Sequence, residues 1–409
     1  MTNPIANKHI ILGITGSIAC YKAADLASKL TQAGAEVDII LTQAALQFVT
    51  PLTFQSVTGR QAYTDADLWG TEAHVLHVGL GHGTDLLAIV PATANTIAKL
   101  AHGIADNLLT VTALAARCPL LIAPAMDGDM YDHPATQANV AILRQRAAII
   151  VGPAEGHLAS GLVGVGRMVE PAEILGHIRL ALARSGPAER HPLLGWKVVV
   201  TAGGTQEPID PVRTITNRSS GKQGFALAQA ALDLGAEVVL ITGASTLPTP
   251  VGARHIDVQT AQDMLEAVLV EITQADILLM AAAVADFKPA SPSGQKIKKE
   301  GGVPELRLEA TPDILRAVAT ARSETGHPRL TVGFAAESQH LVENARTKLA
   351  SKKLDLLVAN DISTPEAGFG VDTNRVTLVY TDGRTEALPL MSKTEVAEAV
   401  LQRVVELNR

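Results

Sequence analysis

Short aliphatic runs alternate with amphipathic stretches along this chain, and the same order occurs twice. Residues 9–15 are apolar almost throughout and predict a buried strand; Gly16-Ser17 predicts a tight turn, and residues 18–32 a helix. Gly34-Ala-Glu-Val then opens a second strand at 38–42. The order returns later: 197–201 as a strand, a long polar loop, 225–234 as a helix, and Gly235-Ala-Glu-Val leading into a strand through 240–242. Gly34 and Gly235 stand where a helix hands over to a strand, the place for a left-handed cap. Further strands are expected at 85–90 and 119–123 in the first half, and at 277–280, 331–334 and 354–358 in the second. Strands alternating with helices predict parallel sheets with right-handed crossovers. The expected fold class is α/β, as two Rossmann-like three-layer domains with mainly parallel sheets. Residues 184–192, rich in breakers and polar residues, predict a linker, giving domains 1–190 and 191–409.

Composition narrows the classes. Of the 409 residues 47% are apolar and only 3% aromatic, so the cores must be built from Ala, Val, Leu and Ile, which suits parallel strands covered by helices. A formal charge of −7 without basic clusters argues against nucleic acid as a partner. No apolar run approaches the roughly 20 residues of a membrane helix, and the N-terminus lacks the basic and apolar regions of a signal peptide. A soluble cytoplasmic protein is expected. The two cysteines, Cys20 and Cys118, supply neither a disulfide framework nor a metal-ligand spacing.

Polar segments follow the strands, where ligands bind on open α/β sheets. In the second half the first is Asp210-Pro-Val-Arg-Thr-Ile-Thr-Asn217-Arg-Ser-Ser-Gly-Lys-Gln-Gly224, between a strand and a helix. Loop amides and a helix N-terminus there attract phosphate, but the wording is neither a Walker A motif nor Gly-x-Gly-x-x-Gly. An NAD-dependent oxidoreductase is disfavoured for that reason. Met280-Ala-Ala-Ala-Val-Ala-Asp-Phe-Lys-Pro289 follows, then Gln295-Lys-Ile-Lys-Lys299, Ala310-Thr-Pro-Asp-Ile314 and Gly333-Phe-Ala-Ala-Glu337. The lysine run reads either as a solvated face or as a triphosphate clamp, and Lys348 and Lys352 share one helical face at i, i+4 spacing. In the first half the segments are Gly13-Ile-Thr-Gly-Ser-Ile-Ala19, Pro91-Ala-Thr-Ala-Asn-Thr96, Pro124-Ala-Met-Asp-Gly-Asp-Met130 and Gly161-Leu-Val-Gly-Val-Gly-Arg-Met168. The first reads as a phosphate loop or as a plain turn; the last reads as a flexible glycine segment able to close over a ligand.

Together these segments resemble, over nearly the whole chain, the bacterial bifunctional phosphopantothenoylcysteine decarboxylase/phosphopantothenate–cysteine ligase family of coenzyme A biosynthesis. For the second half the resemblance implies that the carboxylate of 4'-phosphopantothenate attacks CTP, giving an acyl-cytidylate that the amine of cysteine then converts to the amide. Asn217 matches the residue acting on the acyl-cytidylate. Asp286, Lys296, Phe334, Lys348, Lys352 and the Pro312-Asp313-Ile314-Leu315 turn match nucleotide positions, and the small Ala282 and Ala283 permit close approach. Ser219, Ser220, Gly221 and Lys222 would hold the substrate phosphate. Mg²⁺ would bridge phosphate oxygens; no carboxylate cage for it is visible. Gln223 stands where the family commonly has methionine.

For the first half the resemblance implies FMN, with its phosphate near Gly16, Ser17 and Ile18 and further contacts from Thr42, Met126 and the Thr93, Ala94, Asn95, Thr96 run. It selects His77, rather than the flanking His74 or His82, as the catalytic histidine. Two positions depart from the pattern. Asp127 replaces the asparagine of Pro-x-Met-Asn, exchanging an amide donor for a carboxyl group that, when ionised, repels a substrate carboxylate. Ser160 replaces the family's active cysteine, and a hydroxyl is a far weaker acid than a thiol. Decarboxylation is expected to persist, with Ser160 positioning a water or His157 as the acid. The alternative is an active ligase carrying a catalytically impaired flavin domain. The family also implies a homo-oligomer, trimeric through the flavin half and dimeric through the ligase half, hence a dodecamer.

Overall fold

The computed structural model describes residues 3–69, 76–158, 161–185, 191–298, 305–337, 339–361 and 370–407, with the Glu337 side chain outside the description. The chain forms two compact units divided between residues 186 and 187. In the first, β1 (His9–Ile14), β2 (Glu36–Leu41), β3 (Ala62–Tyr63), β4 (Leu86–Ala92), β5 (Leu120–Pro124) and β6 (Ile149–Ile150) form a parallel sheet. Its order is β3-β2-β1-β4-β5-β6, that of a Rossmann sheet. The helices are α1 (Cys20–Gln32), α2 (Pro51–Thr58), α3 (Leu76–Gly83), α4 (Ala94–His102), α5 (Leu108–Ala115), α6 (Gly128–Asp132), α7 (Pro134–Gln145) and α8 (Pro171–Ala183).

Alternation along the strands makes the layers. Ile10, Leu12 and Ile14 enter one core with Leu26, Leu30 and Ile178, whereas Ile11 enters the other with Ile97, Leu109 and Val140. Successive strand side chains face opposite sides, so helices must cover both faces. Each fully buried Ile or Leu contributes about 1.5–3 kcal/mol of hydrophobic stabilisation. Gly34 ends the α1 connection at φ +90, a conformation that costs glycine little, and Gly235 repeats it at φ +89.

The second unit starts with β9 (Lys197–Ala202), a hairpin of β10 (Gln206–Asp210) and β11 (Arg213–Thr216), α9 (Lys222–Asp233), β12 (Glu237–Thr242), β13 (Arg254–Asp257) and α10 (Ala261–Glu271). It continues with β14 (Ile277–Met280), β15 (Phe287–Pro289), β16 (Leu308–Ala310), α11 (Ile314–Thr325), β17 (Leu330–Glu337), α12 (Leu341–Ser351) and β18 (Leu356–Asp361). Last come β19 (Thr373–Asn374), β20 (Val376–Tyr380), β21 (Thr385–Ala387), β22 (Met391–Ser392) and α13 (Lys393–Leu407). The main sheet is ordered β13-β12-β9-β14-β17-β18-β20-β21, parallel as far as β18 and antiparallel beyond it. The α/β class with mainly parallel sheets therefore holds for both units.

Two segments differ from the sequence reading. The long polar loop before α9 is not irregular: β10 and β11 pair within it, and the register shifts at Pro208/Asp210 because proline cannot donate to the ladder. The glycine segment at 161–168 contains β8 (Val163–Arg167), which pairs antiparallel with β7 (Ala154–His157). Gly156 opposes Gly164 there, and glycine content had masked the pairing. Among the described residues no helix is long and apolar enough to cross a membrane.

Candidate active sites

In both sheets strand order reverses beside the first strand, between β1 and β4 and between β9 and β14, opening a crevice at the carboxyl ends. In the second unit loops from that edge enclose a cavity of about 620 Å³, within the range of small-molecule sites. Gly203 at φ +75 turns the chain after β9, and its carbonyl accepts from the Ala283 amide at 2.8 Å. Thr201 Oγ1 and Thr205 Oγ1 accept from the amides of Ala282 (3.1 Å) and Ala285 (2.9 Å), fixing the Met280–Asp286 loop against β9. Thr311 Oγ1 donates to the Ala285 carbonyl at 2.6 Å, which draws the 311–315 turn to the same wall.

The cavity brings together Asn217, Ser219, Ser220, Gly221, Lys222, Ala282, Ala283, Asp286, Pro312, Asp313, Ile314, Leu315, Phe334, Lys348 and Lys352. Asn217 Nδ2 donates to the carbonyls of Ala283 (3.3 Å) and Val284 (3.0 Å), so both its N–H groups hold the loop. Asp313 caps α11 by accepting from the Arg316 amide and is paired with Lys352. Burial pushes the Asp313 carboxyl up, but the Lys352 ammonium outweighs it and keeps the group below its ordinary value. The Lys348 ammonium has no partner among the described residues, leaving its charge for a ligand.

Lys296 is the exception. It is exposed and does not line the cavity. The next residue is gripped instead: Asp210 Oδ2 accepts from the Ile297 amide at 3.1 Å, and Arg213 Nη2 donates to the Ile297 carbonyl at 2.7 Å. Burial would raise the Asp210 carboxyl, yet the Arg213 guanidinium and the Val212 and Ile297 amides hold it well below the carboxylate range. Lys299 lies outside the described residues.

In the first unit the expected ligands also follow strand ends: Gly16, Ser17 and Ile18 after β1, Thr42 after β2, Thr93 to Thr96 from the end of β4, and Met126 after β5. The backbone N–H groups of Gly16, Ser17 and Ile18 donate to nothing among the described residues. A Cβ on Gly16 would lie 2.5 Å from the Ala44 Cβ, so only glycine lets this turn close. Three unspent amides in a tight turn fit a phosphate group. Thr93 caps α4, accepting from the Thr96 amide at 3.4 Å, and Thr42 Oγ1 donates to the Ile14 carbonyl at 3.3 Å. His77 sits in the first turn of α3 with a buried Nδ1 that has no partner among the described residues. Asp127 caps α6, its Oδ1 accepting from the Asp129 amide at 3.1 Å; asparagine and aspartate are near-equal caps, so this exchange leaves the backbone undisturbed. The β7–β8 hairpin docks on this loop through the Met126 amide and the Gly166 carbonyl at 3.0 Å. His157 is exposed at the end of β7, and Ser160 and His74 lie outside the described residues.

Comparison with known proteins agrees with this layout. Residues 193–407 match the DNA/pantothenate metabolism flavoprotein C-terminal domain family, and residues 2–182 the flavoprotein family. The chain is 47% identical over 404 residues to the coenzyme A biosynthesis bifunctional protein CoaBC of Bacillus subtilis (strain 168), covering 98% of both chains. The chain belongs to this family. The same-named protein of Vibrio vulnificus (strain CMCP6) is 44% identical, again over 98% of each chain. The crystal structure of the C-terminal domain of a CoaBC protein shares 38% identity with a TM-score of 0.45, covering 53% of this chain and 97% of that one. As a CoaBC family member the protein is a bifunctional enzyme of coenzyme A biosynthesis.

Sequence reasoning missed part of the site. Asn360, Asn374 and Lys393 also line the cavity. Asn360 closes a strand end and was open to the strand-end argument, whereas Asn374 and Lys393 come from the C-terminal segment, outside any parallel strand. Thr15 was missed as well: its Oγ1 donates to the Pro91 carbonyl (2.8 Å) and accepts from the Thr93 amide (3.0 Å), joining the two flanks of the first crevice.

Proposed function

We propose that the second unit ligates 4'-phosphopantothenate to cysteine at the expense of CTP, and that the first unit decarboxylates the product with FMN bound. The observation that carries the reading is the composition of the second cavity: Asn217, the Ser219–Lys222 loop, the alanine loop ending at Asp286, and Lys348 with Lys352 share one enclosure. The substrate carboxylate attacks the α-phosphorus of CTP and pyrophosphate leaves. The cysteine amine then attacks the acyl carbon, CMP leaves, and the ammonium proton is lost. Lys348 and Lys352 screen the triphosphate, lowering the cost of bringing an anionic nucleophile to it. A divalent cation would arrive on the nucleotide, since among the described residues no group of three His, Cys, Asp or Glu forms a metal site.

In the first unit the three free amides at 16–18 suit the phosphate of FMN, which when bound supplies the electron sink that loss of CO₂ from a cysteinyl carboxylate requires. His77, with one ring nitrogen unspent, is placed to hold or move a proton. The β7–β8 hairpin packs on the 126–128 loop through the Met126 amide and the Gly166 carbonyl. Incubating the protein with 4'-phosphopantothenate, CTP, Mg²⁺ and cysteine, and following products by mass, tests both halves. Phosphopantetheine is expected. Product stopping at phosphopantothenoylcysteine would mean that Asp127 and Ser160 have silenced the first unit, and no adduct at all would overturn the reading.

A further inference from the structure

Cations lining the second cavity fall into two groups. Lys348 stands on α12 and Lys352 at its C-cap, beside the 312–315 turn; Lys222 and Lys393 stand at the starts of α9 and α13 beside residues 370–374. The second group is unevenly neutralised. Lys222 Nζ is paired with Asp372 Oδ1 at 2.6 Å and with the Gly370 carbonyl at 3.2 Å. Lys393 Nζ donates to the Val371 carbonyl at 2.5 Å and has no carboxylate partner among the described residues. Burial pushes the Lys393 ammonium below its ordinary pKa, and the charge of Lys222 pushes the same way, against the weaker pull of the Asp372 carboxylate. Of these three groups two are cations and one is an anion, so one positive charge remains.

Around that charge other groups are also unspent. Gly221, at φ +77, begins α9 without a side-chain cap, so the first-turn amides beside Lys222, Gln223 and Gly224 face the cavity uncapped. Asn374 lines the cavity at 3% exposure, and its Oδ1 has no partner among the described residues. Gln223 explains which atom is left over. The Lys393 carbonyl can only accept, so Gln223 turns Nε2 to it (3.1 Å); Gln223 Oε1 then faces Asn374 Nδ2 (3.3 Å). Reversing either amide would set oxygen against oxygen. This end of the cavity therefore suits a ligand with a dianionic head for the ammonium and amides, and a hydroxyl or N–H donor near it for Asn374. A phosphate monoester bearing a hydroxyl has that chemistry; a nucleobase does not.

We propose that Lys393 is a binding residue for the phosphate of the acid substrate, and that Gln223 is the positioning residue that holds it there. The inference rests on the ligase reading above and adds a residue from the C-terminal helix to it. Because the Lys222 charge is already shared with Asp372, Lys393 carries the larger part of the attraction. Gln223 acts through two bonds, one to the Lys393 backbone and one to Asn374, and with methionine at 223 both are absent.

The test is steady-state ligation by the full chain, comparing wild type with Lys393→Met, Lys393→Arg and Gln223→Met. Removing a charge-assisted hydrogen bond to phosphate should raise KM for 4'-phosphopantothenate about 10- to 100-fold in Lys393→Met, with KM for CTP and kcat within about threefold. Lys393→Arg should recover most of the loss, and Gln223→Met should raise the same KM about threefold. Inorganic phosphate, used as a competitive probe against 4'-phosphopantothenate, should lose potency in parallel. An active wild type whose Lys393→Met variant keeps the wild-type KM, or loses CTP affinity equally, overturns the proposal alone. A wild type that makes no adduct overturns the ligase reading and the proposal with it.

Discussion

Gly166 is where the first unit is most sharply testable. It lies buried in β8, and its carbonyl accepts from the Met126 amide. An alanine Cβ there would sit 2.3 Å from the Met126 carbonyl oxygen and 3.1 Å from Asp127 C and Gly128 N. All three are backbone atoms, so no rotamer change relieves the contact. Carbon and carbonyl oxygen approach to about 3.3 Å, so hairpin and loop must part by about 1 Å. That movement stretches a 3.0 Å hydrogen bond worth about 0.5–1.5 kcal/mol, and overpacking of this kind costs about 1–3 kcal/mol. For a unit of this size the melting temperature should fall by roughly 2–10 °C. A displacement of 1 Å at a catalytic loop costs on the order of 100-fold in rate. Gly166→Ala should therefore lose about two orders of magnitude in decarboxylation of phosphopantothenoylcysteine while ligation in the same preparation stays within twofold. A decarboxylation rate within threefold of wild type, with unchanged melting, would refute the claim that this docking positions the loop.

Other perturbations give separable outcomes. His9 Nε2 bonds Asp38 Oδ2 at 2.6 Å, and that bond holds the imidazole above its ordinary pKa of 6.5, against the opposing effect of burial. The stabilisation is then fully present below about pH 6.5 and fades as pH rises through the folded-state value; thermal melts from pH 5.5 to 8.5 should show this slope, and His9→Gln should flatten it. Lys348→Ala should raise KM for CTP roughly tenfold in the ligation assay with little change in KM for cysteine, because it removes a cavity ammonium that has no partner among the described residues. Phe54 is fully buried, so Phe54→Ala should destabilise the first unit by about 3–5 kcal/mol in denaturant titration. Retention of wild-type midpoints would show that α2 contributes little to that core.

The parallel strands were legible because their physical requirement is simple. A strand covered on both faces must be apolar at consecutive positions, and His9–Ile14, Lys197–Ala202 and Ile277–Met280 announce themselves by that rule alone. Elements whose stability comes from specific pairing were not legible in the same way. The β10–β11 hairpin contains Pro208 and is organised by Asp210, a carboxylate that accepts from Val212, Arg213 and Ile297 amides; no periodicity encodes this. In the β7–β8 hairpin the facing glycines erase the side-chain pattern altogether, and what fixes its position is the close backbone approach at Gly166.

The same distinction governs the sites. Residues that follow a parallel strand could be nominated from sequence, since strand order alone sends them to one edge; Gly16, Thr93 and Asp286 are of this kind. Lys296 was nominated by its charge and wording, yet its place depends on a buried Asp210, paired with the exposed Arg213, that holds the neighbouring Ile297 backbone. Lys393 had the reverse fate. It begins a helix 171 residues after Lys222, and the Gln223 amide, bonded to the Lys393 carbonyl and Asn374, joins the Lys222 bonds to Gly370 and Asp372 in tying those segments into one wall. Spacing along a chain predicts which edge of a sheet a residue reaches. It does not predict which distant backbone a single amide side chain will fasten, and in this cavity that fastening is one of the bonds that hold Lys393 beside Lys222.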